Sequence, residues 1–184
     1  MSGEGTISSR TTVVAFGCLL LFCCAAAAAA PPQLYGKSVV VSWSEARSER
    51  AIGDQGGFRP VVVSRQMSTY ISTAGRPFNR IVNSHGGKSG GNEQVGASGH
   101  FTLEFQGHSL LLTHVSAGRD GATRVQSDFD QSFGSCTAHV TVAKAAGSST
   151  FTHRSSISGE MFETQSVAIG AATCSIKDGN IFSE

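Results

Sequence analysis

Charge is scarce in this chain and evenly matched: 184 residues carry 14 Lys and Arg against 13 Asp and Glu, a net charge of +1. Beyond residue 30 the balance is 13 basic to 12 acidic side chains, again +1. A surface of that kind has no long-range field to gather polyanions, which excludes nucleic acid and anionic membranes as general partners. Apolar residues at helical spacing are also lacking, and no apolar run after residue 30 is long enough to span a membrane. Cysteine is nearly absent from the same region, because Cys18, Cys23 and Cys24 lie in the N-terminal run and only Cys136 and Cys174 follow. Without a C-x-x-C spacing the pair does not read as a redox site; one even pair is the arrangement of a single disulfide in an oxidising compartment.

The N-terminal run supplies the matching address. Arg10 is the only basic residue ahead of an uncharged stretch over 11–30, whose centre, 13–24, has the length of a signal-peptide h-region. The alanines that follow offer several A-x-A cleavage sites near Ala28 to Ala30, with Pro31 disfavouring the last bond because it restricts the extended chain a protease must hold. The alternative is an uncleaved N-terminal anchor, since twenty uncharged residues can cross a bilayer once. Removal of 1–30 leaves 154 residues, the size of one domain with its own core. The expected localisation is therefore periplasmic or secreted, with no membrane span after signal removal.

Within 31–184, period-two alternation recurs in runs of five to ten residues separated by glycine or polar turns, the pattern of an antiparallel β protein. Residues 37–44 open it, with Val39, Val41 and Trp43 on one face, where Trp43 reads as core. Residues 45–50 gather Glu45, Arg47, Glu49 and Arg50 and read as a solvated loop or strand end, or as a single helical turn. A hairpin follows over 67–82 with Ala74 and Gly75 at its tip, and Pro77 places its return strand at an edge or a bulge. Residues 83–99, six of seventeen being glycine, read as a mobile loop. The hairpin 100–115 is the best determined. A tight turn at Gln106, Gly107 and His108 puts Phe101, Leu103 and Phe105 on one face with Leu110, Leu112 and His114. Further strands are expected over 123–128, 136–143, 149–155, 162–169 and 173–177. Eight or nine strands with short connections give an all-β antiparallel β-sandwich, with a small β-barrel as the alternative.

Motifs that resemble chemistry fail on context. Gly87-Lys88-Ser89 lacks the earlier glycine of a phosphate-binding loop, that place being Val82, and the G-x-S-x-G pattern around Ser89 has neither the buried strand nor the helix it needs. His100 and His114 fall on opposite faces of the hairpin, so with His108, His139 and His153 they do not define a metal set. Among the carboxylates, Asp128 and Asp130 share one side of a short extended piece. A polar site, if one assembles, is expected among His100, Glu104 and Asp128, and no cofactor or metal is called for.

The run Tyr70 to Phe78, the Asn92-Glu93-Gln94-Val95 loop, the Ser135-Cys136-Thr137-Ala138 strand and the closing Cys174 to Phe182 together resemble a group of small uncharacterised secreted bacterial proteins with no assigned activity. That resemblance implies export and the cysteine pair, and carries no catalytic residue. The expectation is an exported, non-enzymatic module that contacts an unknown envelope or extracellular macromolecule. Its alternative is a small ligand-binding or hydrolytic β domain.

Overall fold

A computed structural model describes residues 29–83, 88–94, 101–115, 121–144, 150–155 and 158–183. The expected signal segment lies almost entirely outside the described residues. Eleven strands make up the described chain: β1 Lys37–Ala51, β2 Arg59–Ile71, β3 Pro77–Asn83, β4 Lys88–Gln94, β5 Phe101–Gln106, β6 Ser109–His114, β7 Gly121–Phe129, β8 Cys136–Lys144, β9 Phe151–Arg154, β10 Met161–Ile169 and β11 Thr173–Asp178. Two short 3-10 turns, Pro32–Leu34 and Ile181–Ser183, are its only described helical pieces.

The strands form two antiparallel sheets packed as a β-sandwich. The larger runs β4-β3-β2-β1-β10-β9 with β11 also on β1, and the smaller is the meander β5-β6-β7-β8. β1 organises the larger sheet. It pairs with β2 from Lys37 to Glu49 on one flank, and with β11 and then β10, laid end to end, on the other. The connection between β10 and β11 passes close to Ser44, where the Gly170 N–H donates to the Ser44 carbonyl over 2.9 Å. A Cβ at Gly170 would lie 2.4 Å from Ser44 Oγ, so a larger residue there would require the Ser44 hydroxyl to turn away.

The inner faces carry the alternating apolar residues, which is why these stretches are strands. Val41, Trp43, Met67 and Ile81 of the larger sheet meet Phe101, Leu112, Val125 and Val140 of the smaller. Beside them, Leu34, Val39 and Ile71 meet Phe105, Leu110, Phe129 and Phe133. Leu103 packs against both groups. The hairpin β5–β6 has the expected register, with Phe101 opposite His114, Leu103 opposite Leu112 and Phe105 opposite Leu110. Each fully buried side chain of this kind contributes about 1.5–3 kcal/mol.

The reading of residues 83–99 as a loop throughout needs correction. Lys88–Gln94 are strand β4, paired antiparallel with β3. Pairing of this kind uses main-chain groups, so a glycine-rich, polar stretch can form it without a buried side chain. The pairing shifts register between Phe78 and Arg80, one residue beyond Pro77, which itself only opens β3.

The expected disulfide joins Cys136 of β8 to Cys174 of β11, with Cα atoms 5.5 Å apart. It ties the edge of the smaller sheet to the larger, rather than only joining neighbouring hairpins. The two cysteines are 38 positions apart, and in the chain-entropy view closing such a loop stabilises by roughly 4 kcal/mol. Cys136→Ser is expected to lower the melting temperature markedly in non-reducing buffer, read by circular dichroism. An unchanged transition would show that the bridge carries no stability.

Candidate functional site

Alternation along β1 does not stop where the apolar residues do. Glu45, Arg47 and Glu49 continue the face of Val39, Val41 and Trp43, and pairing with β2 and β10 keeps the strand extended through them. Residues 45–50 are thus neither a helical turn nor a solvated loop. Glu45 is fully buried and Arg47 is 5% exposed. Their charge is inside because an uninterrupted strand sends every second residue to the same side.

Burial of a carboxylate is tolerated only when it is paired and hydrogen-bonded. Trp43 Nε1 donates to Glu45 Oε1 over 2.9 Å, and Arg47 Nε donates to Glu45 Oε2 over 2.8 Å. Arg47 reaches Oε2 with Nη2 as well, and its Nη1 donates to Glu49 Oε1 over 2.8 Å. From β2, Arg65 Nε lies 3.0 Å from Glu45 Oε2, an ion pair whose N–H is not directed well enough to be a hydrogen bond. Arg65, Glu45, Arg47 and Glu49 therefore alternate in sign as one neutral chain. Burial alone would raise the Glu45 pKa, but the charges of Arg65 and Arg47, with the hydrogen bonds from Arg47 and Trp43, outweigh it and hold the carboxyl below its ordinary value. Burial likewise opposes the charge on Arg47, which Glu45 and Glu49 more than offset, so its pKa is raised. At Arg65 burial and the neighbouring Arg47 prevail, and the pKa is lowered.

At the outer end of this chain a register shift between Ser48 and Glu49 in the β1–β10 pairing brings Thr164 opposite Glu49. Thr164 Oγ1 lies 3.3 Å from Glu49 Oε1 and 3.4 Å from His153 Nδ1, and His153 Nε2 is 3.7 Å from the same Glu49 oxygen. A hydroxyl, an imidazole and a carboxylate in contact suggest nucleophilic catalysis. Thr164 is fully buried, however, so its hydroxyl meets no substrate, and Glu45 has both oxygens engaged and serves poorly as a base. The network holds β1, β2, β9 and β10 together.

The expected polar residues go elsewhere. His100 lies outside the described residues. Glu104 sits between the inward Leu103 and Phe105 and is exposed on the outer face, accepting from Gln106 Nε2 over 3.2 Å. Asp128, also on the outer face, accepts from Ser109 Oγ over 2.5 Å and from Gln126 Nε2 over 2.9 Å, and these bonds lower its pKa. The two carboxylates are on β5 and β7 with β6 between them, so they do not line an inward cavity. Of the histidines, His114 is buried and stacks on Phe101 at 4.6 Å, while His108 stacks on Phe133 at 4.8 Å. Arg65, His153 and Thr164 were not singled out as one site in the sequence because they come from three separate strands.

The other candidate element is a sheet margin. β8 is tied to β11 by the disulfide, and Lys144 Nζ donates to the Gln165 carbonyl over 3.2 Å. β9 is only four residues long, and β4 carries Lys88, Glu93 and two adjacent glycines. β5, with sequence FTLEFQ, has no proline, glycine or cation, and among the described residues no strand pairs its outer flank. Charges, prolines and short lengths are the usual protections of an edge, and β5 has one glutamate.

The protein is thus a two-sheet antiparallel sandwich with a buried ion chain and, among the described residues, an unpaired edge at β5. Comparison with protein-family models, curated proteins and solved structures finds no match for the chain in any of the three.

Glu45→Gln leaves Arg47 and Arg65 without their shared counter-charge and is expected to destabilise by about 3–5 kcal/mol, measured by urea unfolding at neutral pH. Because the folded carboxyl titrates below its unfolded value, its contribution is present above about pH 4.5 and is lost as pH falls through the folded pKa. The acid limb of a melting-temperature profile should therefore be steeper for the native protein than for Glu45→Gln. Equal slopes would show that Glu45 does not set it.

Proposed function

We propose that this is an exported bacterial, non-enzymatic interaction module of the envelope or extracellular space, which accepts an extended segment of another macromolecule at β5. The edge of β5, which no strand pairs among the described residues, is the observation that carries this reading. Its main-chain groups can be assigned. The two-residue turn of Gly107 and His108 closes on Gln106 opposite Ser109, and a turn of that length makes its flanking residues a hydrogen-bonded pair. Antiparallel pairs alternate, so Thr102, Glu104 and Gln106 direct their N–H and C=O groups to β6. Phe101, Leu103 and Phe105 direct theirs to the open flank.

Strand addition uses such a row for affinity and the alternating side chains for specificity. The inner side chains are apolar and continuous with the core, whereas Thr102, Glu104 and Gln106 face solvent. The neutral balance of the surface fits a partner chosen by shape and hydrogen bonds more than by charge. Export agrees with the N-terminal run and with a disulfide that needs an oxidising compartment.

The test is amide hydrogen exchange of the protein alone and after capture of its partner from envelope or culture fractions. Phe101, Leu103 and Phe105 amides should exchange quickly in the dilute, monomeric protein and slowly in the complex. Protection elsewhere, with these three unchanged, would overturn the reading. Leu103→Lys, which turns a charge inward at a half-buried edge position, should abolish capture while leaving the β circular-dichroism spectrum intact.

A further inference from the structure

The geometry points to a second copy of this chain as an occupant of the β5 edge, joined antiparallel about a two-fold axis at Leu103. This rests on the strand-acceptor reading above and names its partner. The argument is one of self-complementarity. A two-fold axis through Leu103 sets Leu103 opposite itself, Phe101 opposite Phe105 of the second copy, and Thr102 opposite its Glu104. The residues whose main-chain groups aim outward are then opposed to one another, as hydrogen-bonded antiparallel pairs require. Side-chain parity gives the same answer, because inner apolar residues meet inner apolar residues and outer polar residues meet outer polar ones.

Neighbouring registers are worse, and an axis through Thr102, though it keeps both parities, pairs only Phe101 to Leu103 within β5. A slip of one residue opposes outward-aiming groups to groups already used by β6, and inner side chains to outer ones. An axis through Glu104 restores both parities but stacks the two glutamates against each other, a like-charge pair on adjacent strands. The Leu103 register instead places each Glu104 beside a threonine. Exposure points the same way: Phe101 and Phe105 are each 5% exposed, while Leu103 between them, packed against both core groups, remains only half-buried. A second β5 brings a second Leu103 against it. The two small sheets become one continuous sheet running β8 to β5 and then β5 to β8, and the least protected edge disappears.

The experiment is sedimentation velocity of the native, oxidised protein over a dilution series, together with cysteine pairing at outward, exposed positions. Facing residues have Cβ atoms about 5 Å apart and diagonal ones about 7–8 Å. A mixture of Thr102→Cys and Glu104→Cys should cross-link under mild oxidation, while either variant alone, or Thr102→Cys mixed with Gln106→Cys, should cross-link far less. The expected result is a concentration-dependent dimer with that pattern, reduced to monomer by Leu103→Lys. A monomer at every concentration, a dimer that persists in Leu103→Lys, or cross-linking without positional preference would each overturn the proposal. If the protein is monomeric and Phe101, Leu103 and Phe105 are still protected by a captured partner, self-pairing fails and the strand-acceptor reading stands. If they are not protected either, both fail.

Discussion

The main-chain pairing of β1 on both flanks is the constraint on which the rest of the structure depends. Fifteen consecutive residues are held extended by β2 on one side and by β11 and β10 on the other, so their side chains have no freedom to choose a face. At Val39, Val41 and Trp43 that compulsion builds the core. At Glu45, Arg47 and Glu49 it drives charge into the interior, and the surrounding strands answer with Arg65, Thr164 and His153. The ion chain is thus a consequence of the sheet, and compensates for a burial the strand imposes. Its contribution lies less in net stability than in what its interruption would cost, since removal of one partner strands the others without water.

The sandwich has two unlike sides. Along one, β8 of the smaller sheet is bonded through Cys136 and Cys174 to β11 of the larger, and β11 is paired to β1, so the closure is covalent and continuous with the centre of the fold. Along the other, β5 ends its sheet with no paired strand among the described residues. Covalent closure therefore lies on one side, and the half-buried Leu103 beside an unpaired row of main-chain groups on the other.

Much of this was legible in the residue order. Alternation at 37–44 and 101–114 is strong, and a two-residue turn fixes which residues oppose each other, so the β5–β6 register followed from parity alone. The pairing of Cys136 with Cys174 needed only counting. What misled was composition taken as a guide to solvent. Residues 45–50 are polar and residues 88–94 are polar or glycine, yet both are strands. In the first case the charges pair with one another along β1 and with Arg65 and Glu163 of the neighbouring strands, and in the second the main chain supplies the bonds. Glu104 and Asp128 were grouped as a polar site, but each alternates with inward apolar residues and so faces outward.

Residue order alone settles an all-β antiparallel chain, the alternation of its faces, and a single cysteine pair beyond residue 30, because these depend on neighbours along the chain and on the two-residue period of a strand. Only the tertiary structure decided which strands lie side by side. Residues as far apart as 45, 65 and 164 become one network, and β5 becomes an edge, through pairings between distant segments that leave no local mark. Sheet order is a global compromise among packing, main-chain bonding and chain connection, so the interior charges and the open edge come into view only with the fold.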